Sequence, residues 1–185
     1  MSSSPATTTL EPSDISATCL LQSAAQTLAC SLVNSRLDYC NSLLLLGAPA
    51  MSLHRLQRAQ NIAARVFMDA HRRTDAKPLL RQLHWLPVRR RILFKMAVLT
   101  RKAHTTGTLS QHLHQRTATY STRSSSLPLL TVPNPSTVFA RRAFNYTAPT
   151  TWNSLPADIL TCDSESGFKR LLKTRLLTTV LTSPD

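Results

Sequence analysis

Residues 88–104 of this 185-residue chain read VRRRILFKMAVLTRKAH, and this stretch has the clearest structural pattern in the middle of the chain. Its apolar side chains recur every three or four residues, which is the period of an amphipathic α-helix. On a projection of about 100° per residue they form one arc. The arc comprises Ile92, Leu93, Met96, Leu99 and Ala103. Three cations, Arg91, Lys95 and Lys102, lie within about 40° of one another on the opposite side. The pattern predicts a helix with one buried side and one basic, solvent-facing side.

The sequence pattern before residue 88 predicts a long helix at the start of the chain. It runs from Ile15 to Leu46, and the pair Gly47 and Pro49 ends it because both residues disfavour helix continuation. Apolar side chains recur along it at helical spacing: Leu21, Ala24, Ala25, Leu28 and Leu32.

A second helix is expected from a cap at Ser52 to about Ala70, and a third over 77–83 with Pro78 in its first turn. One face of the second helix is apolar: Leu56, Ala59, Ala63, Val66 and Phe67. The other face is polar: Gln57, Arg58, Asn61 and Arg65. Because small alanine side chains let a neighbouring helix approach closely, the second helix is expected inside a bundle.

Helix propensity falls after residue 104, where Thr, Ser and Pro are frequent. Short strands at 129–132 and 138–140 are expected to flank a turn at 133–135 and form a hairpin. One helical turn is expected at 148–152. A last helix over 165–181 is expected to be capped by Asp163 or Ser164.

The whole chain is therefore expected to be mainly α, a helical bundle followed by a small irregular α+β extension. Four successive segments are expected. Residues 1–15 form a disordered tail and residues 16–104 form the bundle. Residues 105–135 form a linker containing possible short strands, and residues 136–185 form an extension with the terminal helix.

Positive charge is concentrated in the middle of the chain. The sequence has 22 Lys and Arg against nine acids, and +11 of its net +13 lies in residues 55–102. Arginine predominates, and its planar guanidinium pairs with phosphate and stacks on bases. A merely soluble face mixes both signs, so this pattern favours a polyanionic partner over a partnerless basic surface. Nine side chains are candidates for contacting a nucleic-acid backbone: Arg58, Arg65, Arg72, Arg73, Arg89, Arg90, Arg91, Lys95 and Lys102.

The same composition argues against a catalytic centre. The acids are sparse, and no two of them lie on one face of a predicted hairpin, as a metal-dependent polymerase or nuclease would require. The three glycines do not form a phosphate-binding loop or a nucleophile elbow. The cysteines lack zinc-site spacing, and His112 with His114 supplies only two ligands. We therefore expect no enzyme activity, no metal and no cofactor.

Location is also constrained by the sequence. Residues 1–14 are rich in Ser and Thr, with no basic or apolar run typical of a signal peptide. The longest apolar stretches, 43–46 and 92–99, fall well short of the ~20 residues that cross a bilayer. Four cysteines make a sparse disulfide framework for a chain of this size. We expect reduced thiols, no membrane partner and an intracellular location, the nucleus included.

Five segments carry a family resemblance. They are SRLDYCNSLL (35–44), LQRAQNIAAR (56–65), LHWLPVRRRILFK (83–95), RAFNYTAPTTWNSLP (142–156) and FKRLLKT (168–174). In this order they resemble the region after the polymerase core in reverse transcriptases of LINE-type, non-LTR retrotransposons. The resemblance covers roughly residues 20–177. Leu45 and Leu46 depart from a usual aromatic–Gly step, and the stretch 105–126 diverges.

The resemblance implies the thumb and post-palm region of an RNA-directed DNA polymerase. In that family the thumb is a helical bundle whose basic face lies along the template–primer duplex. The motif positions with a phosphate-contacting role implied in this way are Arg58, Arg65, Arg91 and Lys95. The palm's catalytic aspartates, with their Tyr-x-Asp-Asp hairpin, and the endonuclease acids have no counterpart here.

Two functions follow from these observations as hypotheses. The first is a non-catalytic fragment that binds RNA or DNA backbone without sequence preference, with the palm of a longer parent protein as a further partner. The second is a partnerless structural or interaction fragment of a decayed mobile element. In that case the Ala- and Leu-rich helices expose an apolar patch that favours self-association.

Overall fold

The computed structural model describes residues 12–39, 48–107, 110–116 and 127–179. Within these ranges the chain is mainly helical, as expected, and the only strand-like pairing is an isolated antiparallel bridge between Gln115 and Leu130. The described α-helices are α1 (Pro12–Asp38), α2 (Ala50–Phe67), α3 (Ala76–Gln82), α4 (Val88–Thr106), α5 (Phe144–Asn153), α6 (Ala157–Leu160) and α7 (Glu165–Thr179). Two 3₁₀ turns cover Ser110–His112 and Ala140–Arg142.

The first two helices differ from expectation at their ends. α1 begins at Pro12, so residues 12–15, expected in the disordered tail, are helical. It ends at Asp38 rather than Leu46, and residues 1–11 and 40–47 lie outside the described part. α2 begins at Ala50 after the N-cap residue Pro49, two residues before the expected cap at Ser52.

The next two helices lie within one or two residues of their predicted bounds. The carboxylate of Asp75 caps α3 by accepting the backbone N–H of Lys77 at 3.1 Å. α4 extends two residues beyond its predicted end and stops at Gly107, whose φ of +74° is left-handed. Glycine adopts this conformation without steric cost, so it ends the helix here.

A large hydrophobic core joins α4 to the helices that follow it. Met96 and Ala97 of α4 pack in one cluster with Trp152 of α5 and with Phe168 of α7, whose ring centroid lies 5.9 Å from that of Trp152. The expected boundary between residues 104 and 105 therefore runs through this core. Leu93, predicted to be buried, is exposed.

A smaller core joins α4 to the helices that precede it. Leu37 of α1 packs with Val88 and Ile92 from the first turns of α4. Partly buried side chains from α1 and α2 surround it: Val33, Leu53 and Leu56. The two cores therefore share a single helix, α4.

The expected hairpin at 129–140 does not form. Residues 138–139 lie in a turn, and residue 140 begins a 3₁₀ turn. Leu129 and Thr131 bond residues 116 and 114 across the bridge, and Leu130 itself bonds α5: its N–H donates to Asn153 Oδ1 at 2.9 Å, and Asn153 Nδ2 donates to its carbonyl at 2.8 Å. The indole N–H of Trp152 donates to the Pro128 carbonyl at 2.7 Å. These side chains satisfy the backbone that a partner strand would otherwise pair.

The last helices show one confirmed cap and two differences. The Ser164 hydroxyl accepts the Gly167 N–H at 3.0 Å, so Ser164 caps α7 as expected. α5 begins at Phe144, four residues before the predicted turn at 148–152, and α6 was not predicted.

Candidate nucleic-acid interface

The buried side of α2 is rotated from the predicted one. Gln60 and Ala64 are fully buried, whereas Ala59 and Val66, predicted to face the core, are exposed. A hydrogen bond allows this polar residue to be buried. Gln60 Nε2 donates to the Leu86 carbonyl at 2.9 Å, so its amide is satisfied inside the protein.

A second glutamine of α2 fixes the start of α4. Gln57 Oε1 accepts the backbone N–H of Val88 at 2.8 Å, and its Nε2 donates to Asn61 Oδ1 at 2.8 Å. The first N–H groups of a helix have no intrahelical partner, so this bond acts as a side-chain cap supplied by another helix. Arg89 and Arg90 are thereby held beside α2 and α3.

A cleft of about 460 Å³ opens where α2, α3 and the start of α4 meet. We call it the cationic cleft. It is lined by Leu53, His54, Gln57, Asn61, Lys77, Leu80, Pro87, Val88, Arg89 and Arg90.

The electrostatics of the cationic cleft are one-sided. Lys77, Arg89 and Arg90 contribute positive charge, His54 adds an imidazole ring, and none of the lining residues is acidic. Arg58 is exposed on α2, one turn after His54, so it extends the basic surface beyond the cleft. The amide N–H groups of Gln57 already bond Gln60 and Asn61, so the cations supply the donors, and the arrangement suits an anion with several oxygen acceptors.

Three predicted cations lie instead near the end of α2. Arg65 Nε donates to the Thr74 carbonyl at 2.8 Å, which fixes the loop after α2. Arg72 and Arg73 are exposed on that loop. Arg65 and Arg72 also line a groove of about 700 Å³ between α1 and α2, to which Asp69 contributes an acid.

Arg91 and Lys95 hold α1 against α4. Arg91 Nη1 lies 2.9 Å from Asp38 Oδ1, its Nη2 donates to Asn34 Oδ1 at 3.1 Å, and its side chain is only 13% exposed. The Lys95 ammonium donates to the Asp38 carbonyl. The prediction that both face solvent is wrong, because α1 packs beside the apolar arc of α4 and supplies acceptors there.

Lys102 lies apart from the cationic cleft. Thirteen residues separate it from Arg89, which places it about 20 Å away along α4. Its ammonium lies 4.0 Å from Glu165 Oε1, and that carboxylate also contacts Lys169 Nζ at 2.5 Å. The predicted basic line of Arg91, Lys95 and Lys102 is therefore divided between a helix–helix contact and an exposed ion pair.

The described ranges contain no candidate metal site. In them no three His, Cys, Asp or Glu side chains come together in a way that could hold an ion. Burial raises the pKa of the Cys30 thiol above its ordinary value, so this thiol stays protonated at neutral pH. No helix in the described part is long and apolar enough to cross a membrane.

Sequence reasoning missed part of the cationic cleft. It did not select His54 or Lys77, and it assigned Gln57 and Asn61 to a solvent face. The spacing of His54, Gln57 and Asn61 at intervals of three and four residues was a usable signal, because such side chains share one side of a helix. The contribution of α3 required the tertiary structure.

Comparison with known proteins returned no match: no family model, no curated protein and no solved structure is significantly similar to the chain.

Proposed function

We propose that this chain binds the phosphate backbone of RNA or DNA through the cationic cleft and the adjoining side of α2. The observation that carries the proposal is the convergence of Lys77, Arg89 and Arg90 on a cleft whose lining has no acid. Phosphate oxygens accept hydrogen bonds from such groups without distinguishing base sequence, so the binding is sequence-independent. The proposal assigns no catalytic residue.

The resemblance to the post-palm region of LINE-type reverse transcriptases supports the same proposal. Of the four positions for which it implies a phosphate contact, Arg58 adjoins the cationic cleft, whereas the assignment of Arg89 and Arg90 rests on charge alone. We propose that the chain is a non-catalytic, thumb-like fragment of such a polymerase, with its palm as a further partner. Primer extension by this chain with Mg²⁺ or Mn²⁺ is accordingly expected to incorporate no nucleotide.

Salt dependence of binding tests the proposal directly. Fluorescence anisotropy with a labelled RNA–DNA duplex is measured at several salt concentrations from about 50 mM upward. If about six phosphates are neutralised, the slope of log K against log salt is expected near −5. Absence of binding at about 50 mM salt, or a slope near zero, would reject the proposal.

Paired variants locate the interface. Arg58→Gln with Arg89→Gln removes two exposed cations at the cleft and is expected to make the slope shallower by about 2 for any base sequence. The matched control, Arg141→Gln with Arg142→Gln, removes two exposed cations on the 3₁₀ turn distant in sequence from the cleft. Equal loss of affinity in both pairs would show that net charge alone, rather than the cleft, governs binding.

A second candidate function is a structural or interaction fragment without a nucleic-acid partner. It is favoured by the leucine side chains that α1 exposes. Size-exclusion chromatography with and without nuclease separates the two. Nucleic acid that copurifies and sets the apparent size favours backbone binding, whereas aggregation unchanged by nuclease favours the second candidate.

A further inference from the structure

α1 carries a second apolar side that no described element covers. Cys30 and Leu37 are buried on the side facing α2 and α4. Leu21, Leu28, Leu32 and Tyr39, on the opposite side, are each between 65% and 74% exposed. Helices of monomeric proteins normally bury one side only, so this second side needs a partner.

The four exposed residues form one narrow line, and Ala25 beside it also borders the groove between α1 and α2. Tyr39 continues the helical pattern, because its N–H donates to the Ser35 carbonyl at 3.0 Å. On a projection of about 100° per residue all four fall within about 40°. Their separations of seven, four and seven residues are those of heptad positions in a coiled coil, with Ala25 and Ser35 occupying the remaining two positions.

The spacing is symmetric about residue 30, and this symmetry selects the partner. When two copies of α1 run antiparallel about a two-fold axis at that point, Leu28 lies opposite Leu32 of the second copy. Leu21 then lies opposite the second copy's Tyr39, and Ala25 opposite its Ser35. Each large residue meets a large one and each small residue a small one, as an isologous interface requires.

The charge distribution opposes the approach of a second copy least at this helix. The sequence from Ile15 to Ser35 contains no Asp, Glu, Lys, Arg or His, whereas residues 55–102 carry +11. Two copies of a +13 chain repel at most approaches, and the neutral side of α1 is where the repulsion is smallest.

We propose that α1 mediates an antiparallel homodimer through Leu21, Leu28, Leu32 and Tyr39. The 27-residue helix is about 40 Å long, which accommodates three heptads. The exposed side chains of two copies together remove on the order of 1,000 Å² from water, the lower limit for a specific interface. The dimer is independent of the proposed nucleic-acid binding.

Mass measurement of the full chain tests the dimer. Nuclease-treated protein is analysed by sedimentation velocity in about 1 M NaCl, where bridging by nucleic acid is screened and apolar contacts persist. We expect twice the chain mass of 20.5 kDa. A monomer under these conditions would overturn the proposal.

Variants at the exposed line should dissociate the dimer without unfolding the monomer. Leu28→Gln with Leu32→Gln is expected to yield a monomer with unchanged helical circular dichroism, because both side chains are exposed. Val138→Gln with Phe139→Gln, at residues that are 74% and 81% exposed, is the matched control and should leave the dimer intact. A dimer that survives the first pair, or dissociates equally in both, would contradict the assignment to α1.

Charge pairs test the antiparallel register. In Ala25→Glu with Ser35→Lys, each new carboxylate faces a new ammonium of the other copy, so the dimer should persist near 0.15 M salt. In Ala25→Lys with Ser35→Lys, cations face each other and the dimer should dissociate. Dissociation by the first pair would refute the register, because a parallel pair would place like charges opposite each other.

Discussion

At the scale of single residues, two polar side chains, Gln60 and Arg91, are held inside the protein by partners that lie far away in the chain. Gln60 is a polar residue on an amphipathic helix, yet it is fully buried because its amide reaches the Leu86 carbonyl. Arg91 is one of a run of basic residues, yet it is almost enclosed because Asp38 and Asn34 lie within reach. Both roles depend on residues distant in the chain, so periodicity alone does not reveal them.

Replacing Gln60 by leucine should destabilise the protein despite the gain in hydrophobicity. The substitution Gln60→Leu keeps a similar volume but leaves the Leu86 carbonyl without its donor, at a cost of about 1–3 kcal/mol. Urea unfolding followed by circular dichroism measures the loss. Gln82→Leu makes the same chemical change at an exposed position of α3 and should alter stability by less than about 0.5 kcal/mol. Equal stability of the two variants would mean that the buried hydrogen bond contributes nothing.

At the scale of elements, the beginning of α7 shows how local chemistry defines a helix end. Ser164 caps the helix, and Gly167 leaves room for that cap, since a Cβ there would lie 2.6 Å from the Ser164 hydroxyl. Glu165 lies in the first turn, where a negative charge is favourable, and contacts Lys169 one turn later. These signals lie within six residues, which is why the start of α7 could be predicted from sequence.

The stability contributed by Glu165 should depend on pH. The hydrogen bond from Lys169, and then its positive charge, lower the pKa of Glu165 below the ordinary 4.5. A lowered folded-state pKa gives stability that is complete above about 4.5 and is lost as pH falls through the lower value.

Thermal unfolding of the parent chain and Glu165→Gln checks this dependence. The melting temperature of the variant should be lower at pH 7, and the difference should vanish once Glu165 is protonated in both states. Adding Lys169→Gln to Glu165→Gln should cause little further loss, because the partner is already gone. A difference that grows on acidification would contradict the sign.

At the scale of the whole molecule, α4 is shared by two cores of unequal size. Its first turns pack with Leu37 of α1, while the remainder joins the core that contains Phe168 and Trp152. The smaller core involves few side chains, so the attachment of α1 is expected to open at lower free energy than the rest.

Side-chain truncations in the two cores should therefore increase amide hydrogen exchange in different sets of helices. Phe168→Ala is expected to cost about 3–5 kcal/mol and to accelerate amide hydrogen exchange in α4, α5 and α7 together. Leu37→Ala is expected to accelerate exchange in α1 while the amides of α5 and α7 keep their protection. Mass-spectrometric hydrogen exchange resolves these regions. Equal loss of protection in α7 from both variants would show a single cooperative unit instead.

Part of the cationic cleft could be predicted from the concentration of positive charge in the sequence. Arg89, Arg90 and Arg58 were selected from charge, and they lie in or beside the cationic cleft. Arg91 and Lys95, which both charge and the family resemblance selected, instead hold α1 in place. A charged side chain must contact either water or a hydrogen-bond acceptor of the protein. The sequence shows that the side chain is charged, but only the fold decides which of these two partners it meets.

Periodicity, prolines and caps act over a few neighbouring residues, so the mainly helical character of the described chain and the positions of most helices could be predicted from the amino acids alone. The buried sides of α1 and α2, in contrast, follow from their packing against other helices and were not evident from periodicity. α1 has apolar residues on two sides, and only its packing against α2 and α4 selected the side of Cys30 and Leu37. The cationic cleft arose in the same way, since it needed three helices whose contacts span from Leu53 to Arg90.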